Sequence, residues 1–271
     1  MGILHTAKQI TFTRLERLGL HITKNHFYEP VPDVGRIPDD YWQRKSEMVG
    51  INMNGKCQIE LLSVFLRYAD CWPLPDRRSR SFGPVDTEIL YSMVRYFRPQ
   101  RVIEIGSGTS TEITLLALRK NGCGEITCIE PFADIPFGAH KRIAAPVQSV
   151  PLSEFESLEE NDILFIDSSH VLKEASDVLF EYTEILPRLK TGVLIHIHDI
   201  FLPSPYPREW VVGDLRFWNE QYLLQSFLAF NSAFEVLWGG AWMAANHAEK
   251  LKVFPSFRDG VRPGSFWLRR K

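Results

Sequence analysis

Arg101-Val-Ile-Glu-Ile-Gly-Ser-Gly-Thr-Ser-Thr111 reads as a short apolar strand carrying one acid, a turn built on two glycines, and the first turn of a helix. Gly106 and Gly108 tolerate positive φ and let a ligand approach the backbone closely, while the helix start presents free N–H groups. In an open α/β sheet such a strand delivers its turn to the carboxyl edge, where ligands bind. Ser107 belongs to the same turn, and Ser110 and Thr111 add hydroxyls suited to a carboxylate. Glu104 beside them suits an ammonium, so the stretch fits a ligand with an amino-acid tail.

The next strand, 125–130, ends in Glu130, which is 22 residues past Gly108 and placed to accept hydrogen bonds from two ribose hydroxyls. That acid marks a nucleoside and would serve NAD equally well. Two details count against a dinucleotide. The third glycine of that fingerprint would stand at 111, where this chain has Thr111, and an acid two residues before the turn repels a pyrophosphate.

Working outward, helix and strand alternate from Asp86 onward, the pattern of a parallel sheet covered on both faces. Helix 86–97 leads to strand 101–105, helix 111–120 and strand 125–130. A short helix near 137–143, strands near 146–150 and 162–167, helix 171–186, strand 192–198, helix 219–231, and strands 234–239 and 264–270 follow. The last two strands have no helix between them and are expected to form an antiparallel pair at one edge. Tyr222, Phe227 and Phe230 are read as core, and 241–263 has no clear pattern.

Residues 1 to about 80 lack this alternation and are expected to form a mostly helical accessory cap, with a sheet domain over 81–271. The cap holds the Pro-rich turn Tyr28-Glu-Pro-Val-Pro-Asp33, a helical stretch from Cys57 to Tyr68 and a break at Trp72-Pro-Leu-Pro-Asp76. Arg77-Arg-Ser-Arg80 is read as a solvated linker.

The 271 residues are 45% hydrophobic and 24% charged, enough for a substantial core. A formal net charge of −2 gives no sequence-wide pull toward nucleic acid or anionic membrane, and basic and aromatic residues are not interleaved as single-strand binding requires. Cys57, Cys71, Cys123 and Cys128 have neither zinc-site nor disulfide-framework spacing and are read as reduced thiols. No apolar run reaches a membrane-spanning length, so a cytoplasmic protein is expected. The opening Met-Gly-Ile-Leu-His-Thr fits only the loose myristoylation pattern.

Two strands finish in polar clusters, Asp167-Ser-Ser-His170 after the fourth and His198-Asp199 after the fifth. Adjacent strand tips lie about 5 Å apart, so both clusters face one pocket. Asp167, His198 and Asp199 offer ligands for a divalent cation. A reaction at a substrate hydroxyl would need a general base here, and His170 or His198 is read as that base, with Asp199 in the same catalytic cluster. Strand-end aspartates also commonly accept backbone N–H bonds. His196, inside its strand, is read as a buried hydrogen-bonded histidine. Tyr206 and Trp210, in the Pro-rich stretch Phe201 to Trp210, serve either as a lid over the pocket or as an anchor to the sheet.

Ile103-Glu-Ile-Gly-Ser-Gly-Thr-Ser110, Ile129-Glu130, Leu164-Phe-Ile-Asp-Ser-Ser-His170 and His196-Ile-His-Asp-Ile-Phe201 together resemble class I S-adenosylmethionine-dependent methyltransferases, most of all the O-methyltransferase branch. The resemblance covers roughly 83–240 and the last strand. It implies a Rossmann-like α/β sheet of seven strands in the order 3-2-1-4-5-7-6 with the last antiparallel. It also implies S-adenosyl-L-methionine as cofactor, held by Glu104, Gly106, Ser107, Gly108, Ser110, Glu130 and Asp167. In relatives that use Mg²⁺, carboxylates at the fourth and fifth strand ends bind the ion. Asp167 and Asp199 match those positions, while His198 departs from them.

The leading expectation is methylation of a small-molecule, sugar or glycan hydroxyl by a chain free to form a homo-oligomer. Alternatives are a cephalosporin-hydroxylase-like metal-dependent oxidoreductase on the same sheet, an NAD-binding oxidoreductase, and a non-catalytic S-adenosylmethionine binder.

Overall fold

The computed structural model describes residues 12, 14–22, 25–73, 82–132 and 138–271. Arg77-Arg-Ser-Arg80 and the opening hexapeptide lie outside them. The chain divides into two compact units, Met1–Asp39 and Asp40–Lys271, so the division falls well before residue 80. In the first unit, Asn25 donates to Asp33 at 3.0 Å and a 3-10 turn spans Val34–Arg36.

The first α-helix of the second unit is α1 (Gly55–Phe65), whose Leu62 and Phe65 are buried in the sheet domain's core. It therefore does not belong to a separate cap. Next come α2 (Asp86–Phe97), β1 (Arg101–Ile105), α3 (Thr109–Asn121) and β2 (Glu125–Ile129). α2 opens with Asp86 and Glu88 and closes with Arg95, the charge order its dipole favours. α3 stops at Gly122, whose φ of 69° lets its N–H return to the Leu118 carbonyl at 3.0 Å.

β3 is Lys141–Ile143, and Val147–Ser149 forms a 3-10 turn. The short helix expected near 137–143 and the strand expected near 146–150 are thus replaced by a strand followed by a turn. The apolar residues Val147 and Val150 are buried without extending the sheet. α4 (Leu152–Glu156), β4 (Ile163–Ile166), α5 (Asp177–Phe180) and β5 (Leu194–Ile197) follow. α5 starts at 177 rather than 171 because Ser176 caps it, its Oγ accepting the Leu179 N–H at 3.1 Å. It runs on as a π-helical turn, Glu181–Ile185.

α6 (Glu220–Leu228), β6 (Phe234–Gly239), α7 (Gly240–Asn246), α8 (Ala248–Leu251) and β7 (Phe266–Arg270) complete the chain. α7 and α8 occupy the stretch whose sequence shows no clear pattern. Phe230 and Tyr222 are exposed rather than core, at 84% and 38%, whereas Phe227 packs against the core. α6 ends two residues before Phe230, so the periodicity that would have turned it inward no longer applies.

The sheet order is β3-β2-β1-β4-β5-β7-β6, with β7 antiparallel to both β5 and β6, the class I methyltransferase arrangement. Alternate residues feed two cores. Ile103, Ile105, Leu164, Ile166, Ile195 and Ile197 face one side, and Val102, Ile163, Phe165, Leu194 and Trp267 face the other. The four cysteines carry no disulfide. No helix among the described residues is long and apolar enough to cross a membrane.

At the opposite edge from the strand tips, buried Asp162 accepts N–H bonds from Gln100, Arg101 and Glu159 at 2.9, 2.8 and 3.0 Å. It ties the start of β1 to the start of β4. Asp162→Ala would strand three donors and is expected to lower stability by roughly 3 kcal/mol, read as a lower urea midpoint with unchanged cofactor affinity.

Candidate functional site

The registers Ile105↔Ile166 and Ile166↔Ile197 set three strand tips side by side. The residue after each is Gly106, Asp167 and His198. Two cavities open over this row. One, of about 480 Å³, is lined by Gly106, Glu130, Pro131, Phe132, Gln148, Asp167, Ser168 and Asp177. The other, of about 830 Å³, is lined by Asp86, Asp167, Ser168, His170, His198, Asp199, Trp210 and Trp218. Asp167 and Ser168, at the tip of β4, border both.

In the smaller cavity Gly106 has φ of 100°, and a Cβ there would lie 2.5 Å from the Asp167 carbonyl oxygen. Only glycine fits, and the bare backbone leaves room above the β1 tip. Gly108 is extended, and its N–H donates to the Thr111 hydroxyl at 3.0 Å. Thr111 thus caps α3 from the position where a dinucleotide fold needs glycine. Glu130 Oε1 accepts the Phe132 N–H at 2.8 Å, which fixes the carboxylate at the cavity wall.

The other turn residues do not face the cavity. Glu104 is buried behind the turn, accepting from the Ser110 hydroxyl at 2.5 Å with the Cys128 thiol 3.8 Å away. Burial pushes its carboxyl up to about 7, although the hydroxyls of Ser110 and Thr111 oppose the rise. Glu104 and Ser110 therefore hold the turn together. Ser107 and Gly108 complete the turn without lining the cavity, and the Ser107 hydroxyl oxygen is buried with no hydrogen-bond partner among the described residues.

The larger cavity has a charged floor. His170 is 3% exposed, with Nδ1 2.8 Å from Glu220 Oε2 and Nε2 3.3 Å from Asp167 Oδ1 and 3.6 Å from Asp199 Oδ2. Burial alone would lower its pKa, but the Asp167 and Glu220 carboxylates outweigh it and raise the imidazole to about 10. His198 lies 3.6 Å from both Asp167 and Asp199 and 3.7 Å from Asp86, and its ring stacks on Phe82 at 4.7 Å. Burial opposes its charge, yet the Asp199 and Asp167 carboxylates hold its pKa well above the ordinary value.

The two aspartates diverge. Burial raises both, but at Asp167 the imidazoles of His198 and His170 prevail and hold the carboxyl well below the usual range. At Asp199 burial prevails and the carboxyl is raised. His170 and Asp199 both sit at positive φ, 59° and 54°, backbone strain of the kind that gathers at functional sites.

One ligand atom each from Asp167, His170 and Asp199 converge within 4.8 Å of one another, enough for a divalent cation. This group differs from the expected trio of Asp167, His198 and Asp199 in holding His170 in place of His198. His170 points into the group because Glu220 holds its Nδ1, whereas His198 lies between this pair of aspartates and Asp86. His196 is buried as expected, 3.1 Å from the Ser265 hydroxyl and stacked on Phe165 at 4.1 Å. Burial lowers its pKa well below the ordinary value.

Tyr206 is an anchor, buried at 2%, its hydroxyl accepting the Gln221 N–H at 3.3 Å. Trp210 lines the cavity beside Trp218, their centroids 5.3 Å apart, and Trp218 lies 4.4 Å from the His170 ring. Sequence reasoning missed Asp86, Glu220 and Trp218. Asp86 appears in the sequence only as a helix start, and Glu220 meets His170 across 50 positions, so neither carries a local signal.

Residues 103–200 match a family model described as a methyltransferase domain. The matched segment lies within a sheet of class I methyltransferase order. An uncharacterized protein of Archaeoglobus fulgidus is 28% identical over 190 residues, covering 59% of this chain and 86% of its own. Among solved structures, the O-methyltransferase TomG of Streptomyces achromogenes, involved in tomaymycin synthesis and in complex with SAM, is 14% identical at a TM-score of 0.42. It covers 81% of this chain and 91% of its own. An O-methyltransferase of Bacillus cereus in complex with SAH is 16% identical at a TM-score of 0.42, covering 78% and 91%.

His170 should remain an imidazolium across neutral pH. Its folded value near 10 exceeds the ordinary 6.5, so its stabilising contribution is complete below about 6.5 and lost as pH rises through about 10. In the metal-free protein, NMR of the ring protons is expected to show no titration of His170 between about pH 6 and pH 8.

Proposed function

We propose that the chain is an S-adenosylmethionine-dependent O-methyltransferase acting on a hydroxyl of a small molecule, sugar or glycan. The single observation that carries this reading is the pair of cavities meeting at Asp167 and Ser168. The smaller suits an adenosyl group: Gly106 offers bare backbone and Glu130 a carboxylate for ribose hydroxyls. The larger suits a methyl acceptor. When bound, the cofactor supplies an electrophilic methyl group on a sulfonium.

The chain's own residues then have to place an oxygen and take its proton. His170 and His198 carry protons at neutral pH, so in the metal-free site neither serves as the base. Asp167 is held in its ionised form. Asp199, whose carboxyl is raised, is the better proton acceptor, and we assign it to take the proton of the acceptor hydroxyl. The His170 Nε2–H lies between Asp167 and Asp199 and orients that carboxylate. Glu220 fixes His170 in turn through Nδ1.

A divalent cation fits Asp167, His170 and Asp199, where it would supply Lewis acidity to the acceptor oxygen. Its binding would displace the Nε2 proton of His170, so cation affinity would rise with pH. The same donors would serve an oxidase, but no feature of the larger cavity favours redox chemistry over methyl transfer.

Calorimetry with S-adenosylmethionine tests the reading. Glu130→Ala is expected to weaken binding by about 1–3 kcal/mol through loss of charge-assisted hydrogen bonds. Asp199→Asn should leave cofactor affinity unchanged while lowering turnover at least roughly a hundredfold, the usual share of general-base catalysis. Wild-type protein that evolves no heat with the cofactor would overturn the assignment.

A further inference from the structure

At the floor of the 830 Å³ cavity carboxylates outnumber imidazoles, three to two, whereas its mouth carries arginines. At the floor, His170 and His198 face Asp86, Asp167 and Asp199, and the Asp86 carboxylate also accepts N–H bonds from Gly264 and Ser265 at 2.9 and 3.0 Å. At the mouth stand Arg208, Glu209, Arg216 and Arg262. Arg216 is accounted for: it pairs with Asp214 at 3.4 Å and lies over the rings of Trp210 and Trp218 at 4.9 and 5.2 Å.

Arg208 and Arg262 are not. Among the described residues neither has an ion pair, although both line the cavity. They come from separate segments, Arg208 from the loop after β5 and Arg262 from the approach to β7, so their sharing of one cavity is a product of the fold rather than of a local charge run. Arg262, Phe201 and Gly260 also border an adjoining cavity of about 230 Å³, which Lys45 lines. Glu209 and Asp259 are the acids along this path, so the three cations exceed the anions by one. The guanidinium fork matches phosphate and carboxylate oxygens, and a pair of forks facing one space can clasp a single oxyanion.

Resting on the methyltransferase reading above, we propose that the acceptor is an anionic molecule: a hydroxyl-bearing ring joined to a phosphate or carboxylate group that Arg208 and Arg262 bind at the cavity mouth. The hydroxyl reaches Asp199 while the oxyanion remains outside the carboxylate floor, which would repel it. The larger cavity exceeds the cofactor's 480 Å³, so a ring and its anionic extension fit together. The arginines hold the distal end and thereby set which hydroxyl meets the floor.

The test uses the full chain saturated with S-adenosylhomocysteine and calorimetric titration with pyrophosphate, glucose 1-phosphate, glucuronate and glucose at low and high salt. The anions are expected to bind roughly tenfold or more tighter than glucose, as charge-assisted bonds warrant, with a preference that shrinks as salt rises. The phosphate and glucuronate arms separate the two oxyanion sources. Arg208→Gln with Arg262→Gln should abolish the preference while leaving S-adenosylhomocysteine affinity unchanged. Arg208→Lys with Arg262→Lys should retain part of it. Equal binding of anions and glucose, binding of none of the anions, or a preference that survives the double glutamine variant would overturn the proposal. Failure of the wild type to bind S-adenosylhomocysteine would instead overturn the methyltransferase reading itself.

Discussion

The pairing of β4 with β1 on one side and β5 on the other is the constraint from which the site follows. A parallel register of Ile105, Ile166 and Ile197 leaves no freedom in what comes next: Gly106, Asp167 and His198 must emerge at one level. Because β4 is the middle strand, its tip is the only one of the three that can border both cavities. Asp167 is therefore shared for a topological reason. Moving its carboxylate would require slipping a strand buried on both faces, which would turn Leu164 and Ile166 onto the wrong core. The contact between Gly106 and the Asp167 carbonyl seals this junction at the backbone level.

That geometry forces several ionisable groups into a small, dry space, and their mutual arrangement determines which carry charge. Asp167 has an imidazole on either side and stays ionised, while Asp199 has less compensation relative to its burial and is raised. A buried ion cluster of this kind contributes little net stability, since desolvation offsets most of the attraction. Its value is in directing protons. Glu220 and Glu181 extend the cluster away from the cavity, with the Ser168 hydroxyl donating to Glu181 at 3.1 Å. Burial, with the Glu220 carboxylate beside it, holds the Glu181 carboxyl well above its ordinary range.

What was legible in the sequence was local or periodic. The strand-turn-helix at 101–111, the alternation from Asp86 onward and the antiparallel closing pair are each decided within a few residues, and the strand order follows once the motifs are aligned. What was not legible depends on contacts across long separations. Glu104 looks like a ligand group in the motif, yet Ser110 turns it into the support of its own loop. His170 and His198 read as equivalent, and only Glu220, 50 residues on, distinguishes them. The apolar Val147 and Val150 mimic a strand although the edge position beside β2 is taken by Lys141–Ile143, whose polar sequence gives no signal. Edge strands need no continuous apolar run, so hydrophobic pattern favours the wrong segment there.

The same electrostatics bear on how a hydroxyl could be methylated at this floor. Transfer from a sulfonium to an oxygen that is losing its proton removes charge from the reacting pair, so a dry enclosure favours it over water, where both partners would be solvated. An acid near the reacting oxygen helps only if it can take a proton, and an ionised, fully compensated carboxylate such as Asp167 is a weak base. A raised carboxyl such as Asp199 is a stronger one, and its neighbouring imidazoliums offset the cost of keeping it charged until the proton arrives. The unlike environments of these two aspartates thus divide the work, one holding charge in place and the other relieving the substrate of its proton. A floor built from two equivalent aspartates would offer no such division; here His170 sits closer to Asp167 than to Asp199, at 3.3 Å against 3.6 Å, while His198 is equidistant from the two.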